Sequence, residues 1–244
     1  MNDQAVNMPF WDHVEELRSR LIKSIFATML GAIFVYGYSD FIMQILILPL
    51  DALDMDISLQ VLKVTSMFTT KLSIALFGGI ICGLPVIMYQ FWRFVLPAFE
   101  DRYTLLIFIS IFFSVIFFII GMSFAYFIIV PFSLRFFTSL INENIDIIYN
   151  FTLEAYLIYI LWLIFGSGLV FQLPIISTFF TRIGILTPAF LREYRKFAII
   201  IFLILGAILT PPDPLSQILI VIPLVLLYEF SILISKIFKP AKLL

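Results

Sequence analysis

A single histidine, His13, and a single cysteine, Cys82, set the first limits on what this 244-residue chain can do. One cysteine excludes an internal disulfide. One of each excludes the clustered His and Cys ligands of zinc and haem sites, so neither a metal nor a cofactor is expected. Charge is also scarce. Asp, Glu, Lys and Arg make up 13% of the residues and the net charge is −1. The basic stripe that marks a nucleic-acid partner is missing, and none is expected. There is no glycine-rich phosphate loop and no dinucleotide fingerprint. Nor is there a Ser/His/Asp set in one compartment, so no catalytic residue is expected and the chain does not read as an enzyme. Met1 to Met8 lack the charged start, short apolar stretch and cleavage site of a removable signal peptide.

What the chain has instead is apolar surface. Hydrophobic residues reach 62%, with 29 phenylalanines, against roughly 45–50% in an ordinary soluble domain. A soluble fold of this size could not hide so much, because a compact domain needs a polar exterior. A membrane helix needs about 20 apolar residues to cross a core of about 30 Å. Four runs suffice, at about 21–38, 72–91, 105–130 and 155–180. Two more are shorter. Phe197 to Leu209 stops at Thr210-Pro211-Pro212-Asp213-Pro214, and Ile218 to Ile234 follows, with Glu229 near its far end. Proline removes a backbone donor and restricts the residue before it, so this break predicts a tight helical hairpin. The fifth span covers only about 20 Å, so the membrane must thin there or polar residues must snorkel.

Lys and Arg fix the orientation, since they accumulate on the cytosolic side. Arg18, Arg20, Lys23, Arg93, Arg102, Arg182, Arg192, Arg195, Lys196, Lys236, Lys239 and Lys242 fall on one side, and only Lys63, Lys71 and Arg135 on the other. The expected fold is therefore all-α: a polytopic membrane protein with six transmembrane helices, the fifth and sixth short, and both termini cytosolic. It reads as one integral membrane domain over 1–244. The spans lie at about 21–38, 72–91, 105–130, 155–180, 197–210 and 217–235, and the outer loops at 39–71, 131–154 and 211–216. The two long outer loops are amphipathic. Ile42, Ile45, Leu46 and Pro49 suggest an interfacial helix, as do Leu134, Phe137, Leu140 and Ile141.

Four stretches carry polar groups that need an account. In the first, Phe10, Val14, Leu17 and Leu21 recur at helical spacing, which predicts an interfacial helix leading into the first span. Its charges suit a solvated face, with Glu16 and Arg20 as an i, i+4 pair. The second runs from Gly83-Leu84-Pro85 through Tyr89-Gln90-Phe91-Trp92-Arg93-Phe94 to Pro97 and Glu100-Asp101-Arg102. Its aromatics form an interface belt, and its two acids suit the start of the third span. The third is Phe171-Gln172-Leu173-Pro174. An amide in lipid needs a partner, either a neighbouring helix or carbonyls freed by Pro174. The fourth is the proline-rich hairpin with Ser216 and Gln217, where Asp213 and Ser216 serve as caps.

Together these stretches resemble the TatC family, the core component of the twin-arginine protein translocase, over nearly the whole chain. The resemblance rests on Phe10-x-x-His13-x-x-Glu16-Leu17-Arg18-x-Arg20-Leu21; on Pro85 with Tyr89-Gln90-x-Trp92-x-Phe94-x-x-Pro97; on Phe171-Gln172-x-Pro174; and on Arg195-Lys196, Thr210-Pro211-Pro212-Asp213-x-x-Ser216-Gln217 and Tyr228-Glu229. It implies a concave bundle that acts as a receptor for twin-arginine signal peptides. Their precursor proteins cross the membrane folded, driven by the proton gradient. By motif match the docking acids are Glu16 and Glu100. Asp101 is the alternative to Glu100, because the acid arrives sooner after Pro97 than is usual in the family. Arg18 would orient the N-terminal motif. A carboxylate reads the planar fork of Arg better than it reads Lys. The family commonly has Glu where this chain has Gln172, so a proton-uptake role there would be lost while a hydrogen-bonding role survives. Gln172, Thr210 and Gln217 would form a polar patch for a partner's single transmembrane helix. Pro85, Pro97, Pro174, Pro211, Pro212 and Asp213 would be structural. The implied partners are single-span TatA- and TatB-type subunits, twin-arginine signal peptides and further copies of the chain. The implied location is the cell inner membrane, or a thylakoid or mitochondrial inner membrane. The rival reading is a small-molecule or ion transporter subunit, but no internal repeat supports it.

Overall fold

The computed structural model describes residues 10–52, 58–95, 104–139, 150–182, 186–209 and 214–237. Almost all of them are helical. In chain order the elements are α1 (Phe10–Gly37), α2 (Ser39–Asp51), β1 (Ser58–Gln60), α3 (Ser66–Val95), α4 (Thr104–Phe124), a π-helical turn (Ala125–Ile129), α5 (Val130–Ser139), β2 (Asn150–Thr152), α6 (Leu153–Val170), α7 (Leu173–Arg182), α8 (Pro188–Glu193), α9 (Arg195–Leu209) and α10 (Pro214–Ile237). Four stretches are long and apolar enough to cross a membrane: Trp11–Gly37, Ser66–Phe94, Phe108–Ser139 and Leu153–Thr181. They contain most of the first four expected spans. The other two apolar helices differ from each other. α9 has 15 residues and covers about 22 Å. α10 has 24, but its apolar stretch, Gln217–Leu233, is shorter. The hairpin residues Thr210, Pro211, Pro212 and Asp213 lie outside the described residues, as does Pro97.

The chain packs as two units, one of residues 1–42 and 71–115, the other of 43–70 and 116–244. In the first, α1 and α3 run antiparallel with their backbones almost touching. A Cβ placed on Gly79 would sit 2.6 Å from the Ala32 nitrogen and 2.7 Å from the Thr28 carbonyl oxygen; one on Gly31 would sit 2.8 Å from the Gly79 oxygen. Gly79 and Gly83 are spaced to face one partner, the small-residue pattern that lets membrane helices meet closely where burial of apolar surface gives no drive. Only 6% of the apolar window of α1 is buried, so the rest of its surface is fitted to lipid.

The second unit is organised around α6 and α7, whose apolar window is 61% buried. Small residues again set the approach. The Ser167 hydroxyl donates to the Gly121 carbonyl at 2.9 Å, and a Cβ on Gly168 would meet the Phe118 ring at 2.8 Å. α10 packs against α7, α8 and α9. The expected interfacial helix around Ile42 to Pro49 is α2, which buries Met43, Leu46 and Leu50. Pro49 has no N–H to give the Ile45 carbonyl four residues back. The Tyr126 hydroxyl, on the π-helical turn, donates to that oxygen at 2.7 Å, and Tyr156 donates to the next carbonyl, Leu46, at 3.1 Å. Of the second stretch expected at the interface, Leu134 and Phe137 lie on α5, which continues the apolar stretch Phe108–Ser139; Leu140 and Ile141 lie outside the described residues.

One feature departs from the all-helical expectation. β1 and β2 form a two-stranded parallel ladder with Ser58 opposite Asn150. Three-residue strands are too short to leave an alternating pattern in sequence. Beside them Glu154 accepts from Ser66 at 2.7 Å and Thr69 at 2.9 Å, tying the start of α6 to the start of α3.

The close approach of α1 and α3 yields the first prediction. Gly79→Leu forces the two backbones apart and lowers stability by about 2–3 kcal/mol; thermal unfolding in detergent measures it. Leu76→Ala, on an exposed position of α3, changes stability by less than about 0.5 kcal/mol.

Candidate functional site

The first turns of α1 and the last turns of α3 enclose a recess of about 500 Å³. Its α1 side carries Asp12, Glu15, Glu16 and Arg20; its α3 side carries Tyr89, Gln90 and Arg93. Helical spacing puts Asp12, Glu16 and Arg20 above one another on α1, and Tyr89 and Arg93 on α3. Three carboxylates and the cations Arg20, Lys23 and Arg93 thus share one small volume.

Glu16 is at the centre. Its side chain is 21% exposed. The Arg20 guanidinium donates to Oε1 through Nε, at 2.9 Å, and through Nη2. Arg20 Nη1 donates to Gln90 Oε1 at 3.4 Å, which links α1 to α3. The second carboxylate oxygen, Oε2, is buried and accepts no hydrogen bond among the described residues. His13 Nδ1 lies 3.9 Å from it. The His13 ring stacks on Phe94 with centroids 4.6 Å apart. Across the recess, Arg93 Nη1 donates to the Tyr89 hydroxyl at 2.8 Å. A buried carboxylate oxygen without a donor is costly. An incoming N–H donor would satisfy it.

The expected site residues fall in different places. Glu16 is in the recess. Arg18 is exposed on α1, and among the described residues it is Arg20, not Arg18, that pairs with Glu16. Glu100 and Asp101 lie outside the described residues, beyond the end of α3. Pro85 is inside α3, and Pro174 is in the first turn of α7, where its missing N–H costs nothing. The recess also uses Arg20, Tyr89, Gln90 and Arg93, whose roles in the sequence were a helix-face pair and an aromatic belt.

The other expected cluster lies in the second unit. Gln172 is only 3% exposed. In the α6–α7 turn its own N–H bonds to the Leu169 carbonyl, and its side-chain Nε2 donates to the Gly168 carbonyl at 3.4 Å. The carboxamide thus serves the acceptor that the backbone abandons where the helix breaks. A partner helix cannot reach it without repacking. Gln217 is half-buried on α10, with Nε2 donating to the Leu203 carbonyl of α9 at 2.9 Å. Thr210 lies outside the described residues. Arg195 and Glu229 pair at 2.8 Å, and the Tyr228 hydroxyl donates to the Leu191 carbonyl at 2.6 Å, so α8 and the start of α9 are both clasped to α10. Among the described residues no group of His, Cys, Asp or Glu is arranged to hold a metal.

A helical, polytopic membrane protein with a charged recess at one end of a helix pair is the class that fold and site define. Comparison with known proteins gives the particular family. The model of the Sec-independent protein translocase protein (TatC) matches residues 12–223. The TatC protein of Carboxydothermus hydrogenoformans is 37% identical, over 96% of this chain and 95% of its own length. That of Desulforapulum autotrophicum is 35% identical, over 99% and 89%. A crystal structure of the twin-arginine translocase receptor TatC superposes with a TM-score of 0.82 at 34% identity, covering 93% of this chain and 99% of that one. The chain belongs to the TatC family of membrane-embedded protein translocase components.

Gln172 supplies the second prediction. Gln172→Leu leaves the Gly168 carbonyl without its donor and lowers the unfolding free energy by about 1–2 kcal/mol in detergent. Gln172→Glu, which can donate only when protonated, loses stability at alkaline pH and recovers it as the carboxyl takes up its proton. Unchanged stability in both variants would remove the structural role assigned to the carboxamide.

Proposed function

We propose that this chain is the signal-peptide receptor and core subunit of a twin-arginine translocase, docking precursors that cross the membrane folded and driven by the proton gradient. The observation that carries the reading is Glu16: a half-buried carboxylate in a recess, with one oxygen lacking a donor among the described residues. An arginine side chain is the chemistry that such an oxygen takes best, because a planar guanidinium brings several N–H groups at fixed angles. A pair of arginines calls for a second acid. Glu100, or Asp101 beside it, follows α3 closely enough in sequence to supply it.

The rest of the proposal follows from charge and length. The recess lies at the end of α1 and α3 that is rich in Lys and Arg, which is the cytosolic end by the positive-inside rule. Six spans with both termini cytosolic fit that rule, with α9 and α10 as the fifth and sixth. The membrane is the cell inner membrane. Single-span TatA- and TatB-type subunits are the partners, and further copies of the chain join the assembly. Gln217, with Thr210 by the motif match, offers polar groups to a partner helix, while Gln172 sets the shape of the α6–α7 turn.

A titration of a synthetic twin-arginine peptide against the full-length protein tests the reading. Glu16→Ala and Glu100→Ala each weaken binding by about 10–100-fold, the worth of a charge-assisted hydrogen bond. Unchanged affinity in both variants would rule out this recess as the docking site.

A further inference from the structure

We propose that Arg20 is a permanent positioning residue of the docking site rather than a stand-in for the arginine that binds there; this rests on the signal-docking reading above. Two arrangements could explain an arginine already seated on the docking carboxylate. In one it is a placeholder that the ligand must expel. In the other it stays and orients the acid.

Three observations favour the second. Both donors that Arg20 offers to Glu16, Nε and Nη2, converge on the single oxygen Oε1. A placeholder mimicking the ligand would engage both oxygens in the bidentate fork that guanidinium and carboxylate prefer. Next, Arg20 is tied to α3 as well, through Nη1 to Gln90 Oε1 at 3.4 Å, and only 17% of its side chain is exposed. Expelling it would break the α1–α3 link as well as the ion pair. Finally, Oε2 accepts no hydrogen bond among the described residues. Close to it lies His13, at 3.9 Å, whose side chain is 44% exposed and gives up its stack on Phe94 when it turns outward. An incoming guanidinium displaces His13, not Arg20, and the two guanidinium groups then hold one oxygen each.

This arrangement also bears on the choice between Arg and Lys. Arg20 and Gln90 fix the plane of the Glu16 carboxylate. A guanidinium on Oε2 keeps further N–H groups in a set plane, in a recess that also carries the acids Glu15 and Asp12. An ammonium is a compact point charge whose attraction to Oε2 depends little on how the carboxylate is turned. Fixing the carboxylate therefore helps an Arg-Arg peptide more than a Lys-Lys peptide.

The test is a titration of the full-length protein in detergent with synthetic peptides that carry an Arg-Arg or a Lys-Lys pair. Arg20→Gln weakens the Arg-Arg peptide about tenfold and the Lys-Lys peptide about twofold or less, so the preference for arginine falls. Arg20→Lys recovers part of that preference. Gln90→Leu shifts it in the same direction by less, and it carries the test if Arg20→Gln fails to fold by thermal unfolding. Tighter binding of the Arg-Arg peptide by Arg20→Gln would establish the placeholder and overturn the proposal, as would an unaltered preference in Arg20→Gln or, where that variant does not fold, in Gln90→Leu. Glu16→Ala separates the two levels. If it binds the Arg-Arg peptide as the wild type does, the docking reading itself fails. If it loses binding while folded Arg20→Gln keeps its preference, only the positioning role of Arg20 fails.

Discussion

The near contact of the α1 and α3 backbones at Gly31 and Gly79 is the constraint from which the candidate site follows. Two antiparallel helices that touch at one level hold matched positions along their whole length. Arg20 lies eleven residues before Gly31, and Gln90 eleven after Gly79. At 1.5 Å per residue both sit about 16 Å from the contact, and there the two side chains meet at 3.4 Å. The glycines carry no chemistry of their own. They fix the register that brings Glu16 and Arg20 to the α3 wall of the recess. The same closeness suits a helix whose remaining surface faces lipid, where packing and not burial from water holds spans together.

The second unit solves a different problem. In lipid every backbone polar group needs an internal partner, and this chain breaks its helices repeatedly. Two of the breaks among the described residues are met by a side chain. Tyr126 serves the carbonyl that Pro49 strands, and Gln172 serves Gly168 where the helix turns before Pro174. Gln217, on α10, donates to the Leu203 carbonyl within α9 and ties the two helices together. Polar residues that look functional on an apolar background are here also the repairs to an interrupted backbone. Gln172 belongs with these, given its burial.

Much of this was legible from the residues. The four long spans follow from apolar runs alone, and the amphipathic α2 from Ile42, Ile45 and Leu46. The family resemblance, carried by four motifs in order, pointed to Glu16. Other features left no periodic trace. β1 and β2 are three residues each. The π-helical turn at 125–129 lies in a uniformly apolar run, where a change of helical period is invisible. The i, i+4 spacing makes Arg20 a helix-face partner of Glu16, and that pairing is present. Its bond to Gln90 was not legible, because it depends on the α1–α3 register. The Gly79/Gly83 spacing, read together with Gly31, was the signal that could have supplied that register. Pro49 likewise announced an orphaned carbonyl, but not which hydroxyl would meet it.

The central claim is that a twin-arginine segment docks in the recess between α1 and α3. Site-specific photocrosslinking tests it most directly. A photoreactive residue is placed at Ser19 or Tyr89, which line the recess, and at Phe26 or Ile33 on the exposed apolar face of α1. A precursor bearing a twin-arginine signal is then added to membranes that contain the protein. The account predicts signal-peptide adducts from Ser19 and Tyr89, lost when the arginine pair is changed to lysines, and none at Phe26 or Ile33 that depend on the pair. Adducts that form equally at all four positions, or only on the lipid face, would contradict it.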